Sequence, residues 1–417
     1  MTRLVQPCFM ALLFAIFSVQ AKALTDAITT ALPPAFIEQT MHEAGVTGLA
    51  IAYLGDNQDI RGFGQTHPEG EPVTADTVFQ VASLGKIALA YTAQLMIANG
   101  QLRPDQVLHD PRIKLAPNCP PPTVLTVLTH SSGLGNDLAA SEFRPDCQTQ
   151  SHFRYSGQGF LVLADEMARV SGKPVTTLID ELLFRPLAMT NSRFGPAINT
   201  ENVATGQISA TAFVLGQMLG NPFGLTGLSA NSILILLLIV APVFIGRRHG
   251  WTTGILTFIA LLLPIILLAL FAGTRISVSA QRTIPADQVP ASLTSSARDM
   301  AILTKELLHP TLLTSSSLRS AGAGLSFAPQ IKQSACIGWS LLMGTDSCGE
   351  TFTAWQWGSN LGFQSLLVIA PDSGKAVIIL TNSGGGLDAI LPGQGGYPAA
   401  RKIAAALLQI NGQWTLQ

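Results

Sequence analysis

The chain has little charge. Only 12% of its 417 residues are Asp, Glu, Lys or Arg, where about a quarter is usual in a soluble protein. That shortfall predicts that part of the chain sits in lipid. The formal net charge of −1 supplies no basic field, so nucleic acid is not expected as a partner. Cysteine is scarce as well, with five in the whole chain. No Cys/His spacing resembles a metal site and the histidines are scattered, so neither a metal nor an organic cofactor is called for.

The first 23 residues have the form of a secretory leader. Arg3 gives a positive start, an apolar stretch runs from Phe9 to Val19, and Ala21-Lys22-Ala23 fits a cleavage site. The mature chain would begin at Leu24; the alternative is an uncleaved anchor. Cys8 lies inside this leader and does not precede the expected cleavage site. Cys119, Cys147, Cys336 and Cys348 remain. An even number in an exported chain points to disulfides, with three possible pairings. Nearness in sequence favours Cys119–Cys147 and Cys336–Cys348.

Residues 46–53 are predicted as a buried strand, with residues 60–64 as its hairpin partner after Gly55-Asp56-Asn57. A helix is expected from Ser83 to Asn99, ended by Gly100. A proline-rich stretch (Pro117, Pro120, Pro121, Pro122) opens a mostly helical region, including a helix from Gln158 to Ser171 stopped by Gly172 and Pro174. Near the C-terminus, Thr294–Met300 begins a helix that reaches Leu308. Strands follow at 352–358, 364–370 and 375–381, with a turn at Pro371-Asp372-Ser373-Gly374, and a last helix runs from Ala399 to Ile410.

Between these parts lie two apolar runs, Leu228–Gly246 and Trp251–Gly273, separated by Arg247-Arg248-His249-Gly250. Each has the length of a membrane crossing, roughly 17–25 residues, and neither has a polar face. They are expected to form a transmembrane hairpin, the alternative being two buried core helices. Arg247 and Arg248 would face the cytoplasm. Both flanks would then lie outside, at the inner membrane, where lipid would be a partner. The expected organisation is a leader (1–23), a first part of the domain (24–227), the hairpin (228–273) and a second part (274–417).

Ser83-Leu84-Gly85-Lys86 carries the chemistry. On a helix, residues three apart share a face, so Lys86 Nζ can reach Ser83 Oγ and take its proton. A helix start also offers unpaired N–H groups to a developing oxyanion. As a bare tetrapeptide the pattern is common, and an ordinary helix start with a solvated lysine would produce it too.

The surrounding residues narrow the choice. Thr77–Lys86, Leu125–Leu134 (with Thr129-His130-Ser131-Ser132-Gly133), Pro186-Leu187-Ala188-Met189, Thr294–Met300 and Asn382-Ser383 occur in an order that resembles the serine β-lactamase and penicillin-binding protein family, in its class C-like branch with related esterases and D-peptidases. The resemblance implies an α/β (α+β) fold of the β-lactamase/transpeptidase type. An antiparallel sheet would be flanked by helices, with an all-helical lobe, the membrane hairpin inserted and the active site in the cleft. It implies Ser83 as nucleophile. Tyr155, in Tyr155-Ser156-Gly157, would shuttle the proton with Lys86. Gly157 stands where the family commonly has an asparagine.

By the resemblance, Gln356-Trp357-Gly358 takes the place of a Lys/His-x-Gly strand lining the site, which makes these three residues and Gly157 substrate-binding candidates, and Ser359 N–H would complete the oxyanion hole with Ser83 N–H. Gln356 replaces a cation that would attract a substrate carboxylate. Trp355 is expected to pack in the core, and His130 to be structural. His152 lies near Tyr155 in sequence. The expected activity is hydrolysis of esters, amides or D-amino-acid peptides, as small molecules or peptides, at the periplasmic face of the inner membrane. The alternatives are a penicillin-binding sensor without turnover and a peptide-binding pseudo-enzyme.

Overall fold

The computed structural model describes residues 27–147, 154–197, 202–209, 245–248, 250, 252–253, 255–258, 275–278, 284–313, 344–346, 353–370, 373–384 and 396–409. Two helices come first, α1 (Ala27–Ala31) and α2 (Pro34–Ala44). Pro34 suits the first turn because its missing N–H has no partner to lose there. Gly45, at φ 64°, ends α2 in the left-handed conformation. The hairpin β1 (Gly48–Leu54) and β2 (Asp59–Gly64) follows, then β3 (Val78–Ala82). The helical region contains α3 (Gly85–Ala98), α4 (Val124–Leu128), α5 (Gly157–Ser171) and α6 (Val175–Ile179). Short strands β4 (Arg193–Phe194), β5 (Gly206–Ser209), β6 (Arg275–Val278) and β7 (Leu293–Ser296) lead to α7 (Ala297–Leu308). The chain closes with β8 (Gly344–Asp346), β9 (Thr353–Asn360), β10 (Phe363–Ala370), β11 (Lys375–Thr381) and α8 (Gly396–Leu408).

The main sheet is antiparallel, in the order β2-β1-β11-β10-β9-β8. Strands from the two ends of the chain meet at its centre, with Ile51 opposite Ile379. Successive side chains of a strand point to opposite faces. Leu49, Ile51, Leu366, Val368, Val377 and Ile379 therefore face one core, closed by Ile28 and Ile37 from α1 and α2 and by Ile403 and Leu407 from α8. Ala50, Ala52, Leu367, Ile369, Ile378 and Leu380 face the other, shared with α3, α5 and α7. A sheet covered on both faces explains why these strands are nearly continuous apolar runs. Each fully buried Ile or Leu contributes about 1.5–3 kcal/mol of transfer free energy.

A second, three-stranded sheet, β3-β7-β4, leans on the first. The sequence pattern did not reveal β7: its Leu-Thr-Ser-Ser run resembles a capping segment. Ser296 does both jobs. It ends β7 and caps α7, its side chain accepting from Asp299 N at 3.2 Å. The hairpin, the three C-terminal strands and the helices α3, α5, α7 and α8 fall where expected, with ends displaced by a few residues.

The membrane hairpin is a correction. Among the described residues no helix is long and apolar enough to cross a membrane. Within 228–273 the described residues include Arg247 and Arg248, both exposed, and Gly250, whose φ of 95° departs from the helix. Residues 245–246, 252–253 and 255–258 are described as well; the rest of that span lies outside the described residues, as does the leader at 1–23. With the hairpin, the inner-membrane location, the periplasmic placement and the lipid partner are withdrawn.

Of the two expected disulfides, Cys119–Cys147 is formed, with a Cα–Cα distance of 5.3 Å. Cys336 and Cys348 lie outside the described residues, and so does His152.

Candidate active site

The site begins with an irregularity. The β3–β7 register shifts between Gln80 and Ala82, and Ala82 has φ 50°. A residue with a Cβ is disfavoured there by about 1–2 kcal/mol. The surrounding structure holds this turn, and it delivers Ser83 to the entrance of α3. Nothing in an alanine signals such a backbone. Residues 83 and 84 form the turn before the helix, so α3 starts two residues later than expected, at Gly85. Gly85 is packed tightly: a Cβ there would stand 2.9 Å from Leu293 Cβ.

Lys86 is 2% exposed. Its Nζ donates to Ser83 Oγ at 3.0 Å and to the Pro290 carbonyl at 2.8 Å. It also lies 4.8 Å from the centre of the Tyr155 ring. Tyr155 Oη donates to Ser83 Oγ at 2.7 Å. Three side chains that sequence motifs name separately thus converge on one oxygen.

Tyr155 is aimed by His130. The His130 carbonyl accepts from Arg154 N at 2.7 Å, and its Nδ1 accepts from Ser156 N at 3.1 Å. Its ring lies 4.9 Å from that of Tyr155. The backbone at His130 is left-handed, with φ 53°. Burial, and then the charge of Lys86, lowers the imidazole pKa to about 3. The ring is therefore neutral near pH 7 and carries its proton on Nε2. The expectation of a structural histidine missed this contact with the site.

Ser156 turns away from Ser83. Its Oγ caps α5, accepting from Gly159 N at 2.8 Å, and donates to Gly135 O at 3.1 Å. Gly157 follows as the first residue of α5.

The opposite wall is β9. Gln356 Nε2 donates to the Ser83 carbonyl. A Cβ on Gly358 would stand 2.4 Å from Val81 O and 2.9 Å from Ser83 N. Asn360 Nδ2 donates to Gln80 Oε1 at 3.0 Å and to Ala291 O at 3.1 Å. From the next strand, Ser365 Oγ donates to Val81 O at 2.9 Å. Gln356, Gly358 and Asn360 share the face toward the Ser83 turn.

Trp355 and Trp357 lie on the other face, against the outer core. For Trp355 that was the expectation. For Trp357 it is a correction, because strand alternation puts its ring on the side away from Ser83. Ser359 follows Gly358 directly and pairs with Gln364 of β10.

Asn382 is a landmark of a different kind. Its side chain accepts from Gly48 N at 2.7 Å and donates to Thr66 O at 2.9 Å, tying the end of β11 to the first hairpin. Among the described residues no cluster of three His, Cys, Asp or Glu side chains is arranged to hold a metal ion.

The family model described as Beta-lactamase matches residues 34–392. The D-alanyl-D-alanine-carboxypeptidase/endopeptidase AmpH of Escherichia coli (strain K12) is 28% identical over 193 residues, covering 39% of this chain and 49% of that protein. The chain spans about half the length of the curated relatives it matches. A class C beta lactamase from Rhodobacter sphaeroides superposes with a TM-score of 0.59 at 15% identity, over 92% of this chain and 99% of its own. A D-amino acid amidase from Ochrobactrum anthropi SV3 does so with a TM-score of 0.60 at 16% identity, over 92% and 97%. At those identities the likeness is one of fold.

Proposed function

Because this chain belongs to the beta-lactamase family of serine hydrolases, we propose that it cleaves esters, amides or D-amino-acid peptides through an acyl-enzyme on Ser83. One observation carries the reading: Ser83 Oγ lies 3.0 Å from Lys86 Nζ and 2.7 Å from Tyr155 Oη. A serine hydroxyl is a weak nucleophile until a neighbour takes its proton. Here Tyr155 and Lys86 share that task. With one member of the pair deprotonated, a Lys86 amine or a Tyr155 phenolate, Ser83 Oγ attacks the carbonyl carbon and its proton passes to that group. The N–H groups of Ser83 and Ser359 stabilise the oxyanion. When the carbon–leaving-group bond breaks, the same proton goes to the departing oxygen or nitrogen. Water then attacks the acyl-enzyme, gives a proton to the pair, and releases the acid as Ser83 recovers its hydrogen.

The substrate side is supported by the curated relative, a D-alanyl-D-alanine peptidase by name. Gln356 brings no charge to the cleft, and its amide already serves the Ser83 carbonyl. That favours uncharged esters and amides over β-lactams and free D-alanyl-D-alanine termini, whose carboxylates seek a cation.

Intact-mass spectrometry tests the reading, using an activated ester and, separately, a fluorescent penicillin, with Ser83→Ala as control. A mass gain on Ser83 that decays is the expected result. Gly157 and Gln356, which both depart from the family pattern, favour a second reading, a pseudo-enzyme that binds peptide without turnover. No adduct with either probe would select it.

A further inference from the structure

Asn360, the last residue of β9, joins two segments that reach the Ser83 turn from different directions. Its Nδ2 donates to Gln80 Oε1 at 3.0 Å and to Ala291 O at 3.1 Å. The Ala291 oxygen belongs to the backbone and can only accept, so the amide group facing it must be the NH₂. Both of its hydrogens are then used.

Each acceptor has a place in the site. Gln80 stands at the register shift in β3, just before the turn that carries Ser83. Ala291 follows Pro290, whose carbonyl accepts from Lys86 Nζ at 2.8 Å. The Pro290 carbonyl and the Ala291 N–H belong to one rigid peptide plane. That N–H donates to Gln288 O at 3.0 Å, and Gln288 N donates to Pro285 O at 2.9 Å. These bonds shape the segment 285–291 from within. Among the described residues, only two hydrogen bonds tie this segment to distant parts of the chain. One is from Lys86 to Pro290 O, and the other is from Asn360 to Ala291 O. Without Asn360, the carbonyl that holds Lys86 would be held in turn by little except Lys86.

We infer that Asn360 is a positioning residue for Lys86. By holding Ala291 O it fixes the Pro290 carbonyl, and that carbonyl fixes Nζ 3.0 Å from Ser83 Oγ. Asn360 also directly follows Ser359, whose N–H is assigned to the oxyanion. One carboxamide therefore sets the proton-transferring side of the cleft in register with the oxyanion strand. The inference rests on the acyl-enzyme reading above.

The test uses stopped-flow acylation by 4-nitrophenyl acetate over a range of concentrations, which separates the acylation rate constant from the dissociation constant of the ester. Asn360→Leu keeps the side-chain volume and removes both N–H donors. Gln80→Met removes only the tie to β3. Asn360→Leu is expected to slow acylation by about tenfold to a hundredfold, the range for a misplacement approaching 1 Å, with the dissociation constant unchanged. Gln80→Met is expected to lose much less. In Lys86→Met, followed over hours by intact mass, adding Asn360→Leu should cost nothing further, because the residue it positions is gone. Thermal melting checks that each variant is folded, and Asn360→Ala replaces Asn360→Leu if that one is not. A wild-type rate in the Asn360 variant, an equal loss in Gln80→Met, or a full further loss on top of Lys86→Met would overturn the inference and leave the acyl-enzyme reading intact. A wild type that is not acylated would overturn both.

Discussion

Gly358 and Ser83 are so close that a single Cβ on the glycine would stand 2.9 Å from the Ser83 backbone nitrogen. The same Cβ would also meet Val81 O at 2.4 Å, so no small rotation relieves it. Gly358→Ala is expected to push β9 away from the Ser83 turn. Crowding of this kind typically destabilises by about 1–3 kcal/mol, and it would also break the N–H pair proposed to hold the oxyanion. Thermal denaturation and the acylation rate, measured on the same preparation, should both fall.

Tyr155 and Lys86 are expected to act together. Tyr155→Phe keeps the ring against His130 but removes the hydroxyl. Removing a positioned general base slows a proton-transfer step by about 10²–10⁴-fold. Lys86→Met should give a loss of the same order, and the double variant little more than either alone, because groups that act as a unit are not additive. Acylation rates from stopped-flow absorbance with 4-nitrophenyl acetate check this. Additive losses would contradict a shared role.

His130 gives a pH prediction. Its folded pKa is lowered to about 3 from 6.5 by burial and by Lys86. In the unfolded chain an ordinary imidazole takes up a proton below about pH 6.5, which the folded protein refuses. Stability from this group is therefore complete above pH 6.5 and is lost as the pH falls toward 3. Melting temperatures between about pH 7 and pH 4 should fall in the wild type and fall less steeply in His130→Gln. Equal slopes would mean that the imidazole is not held neutral.

The Cys119–Cys147 bridge joins residues 28 apart in sequence. A closed loop of that size is worth about 3–4 kcal/mol on the chain-entropy account. Cys119→Ala with Cys147→Ala should lower the denaturation midpoint accordingly, while leaving the Ser83 site assembled. Loss of acylation in a variant that is still folded would show that the bridge also shapes the cleft.

Much of the sheet was legible because its strands are apolar on both faces and sharply bounded by turns. β1 and β11 stand out for that reason, though their pairing across the chain does not. Ser83 and Lys86 were legible in a short motif whose spacing has a chemical cause, and Tyr155 through the family resemblance. The rest depended on geometry that residue types do not announce. Ala82 gives no sign of its left-handed backbone, and β7 is four residues long. Trp357 looked like a wall of the cleft until strand alternation turned it to the outer core. Asn360 meets Ala291 from 69 positions away, which no local pattern shows. The apolar composition of 228–273 suggested a membrane hairpin, but composition does not establish a continuous helix, and the described residues hold none long and apolar enough to cross a membrane.

The central claim is that Ser83 becomes acylated. Intact-mass spectrometry of the wild type mixed with 4-nitrophenyl acetate, quenched at successive times and mapped by peptide fragmentation, tests it most directly. The account predicts one acetyl group on the peptide containing Ser83, rising and then decaying, and none on that peptide in Ser83→Ala. An unmodified Ser83 throughout, or the same adduct on other residues in both proteins, would contradict it.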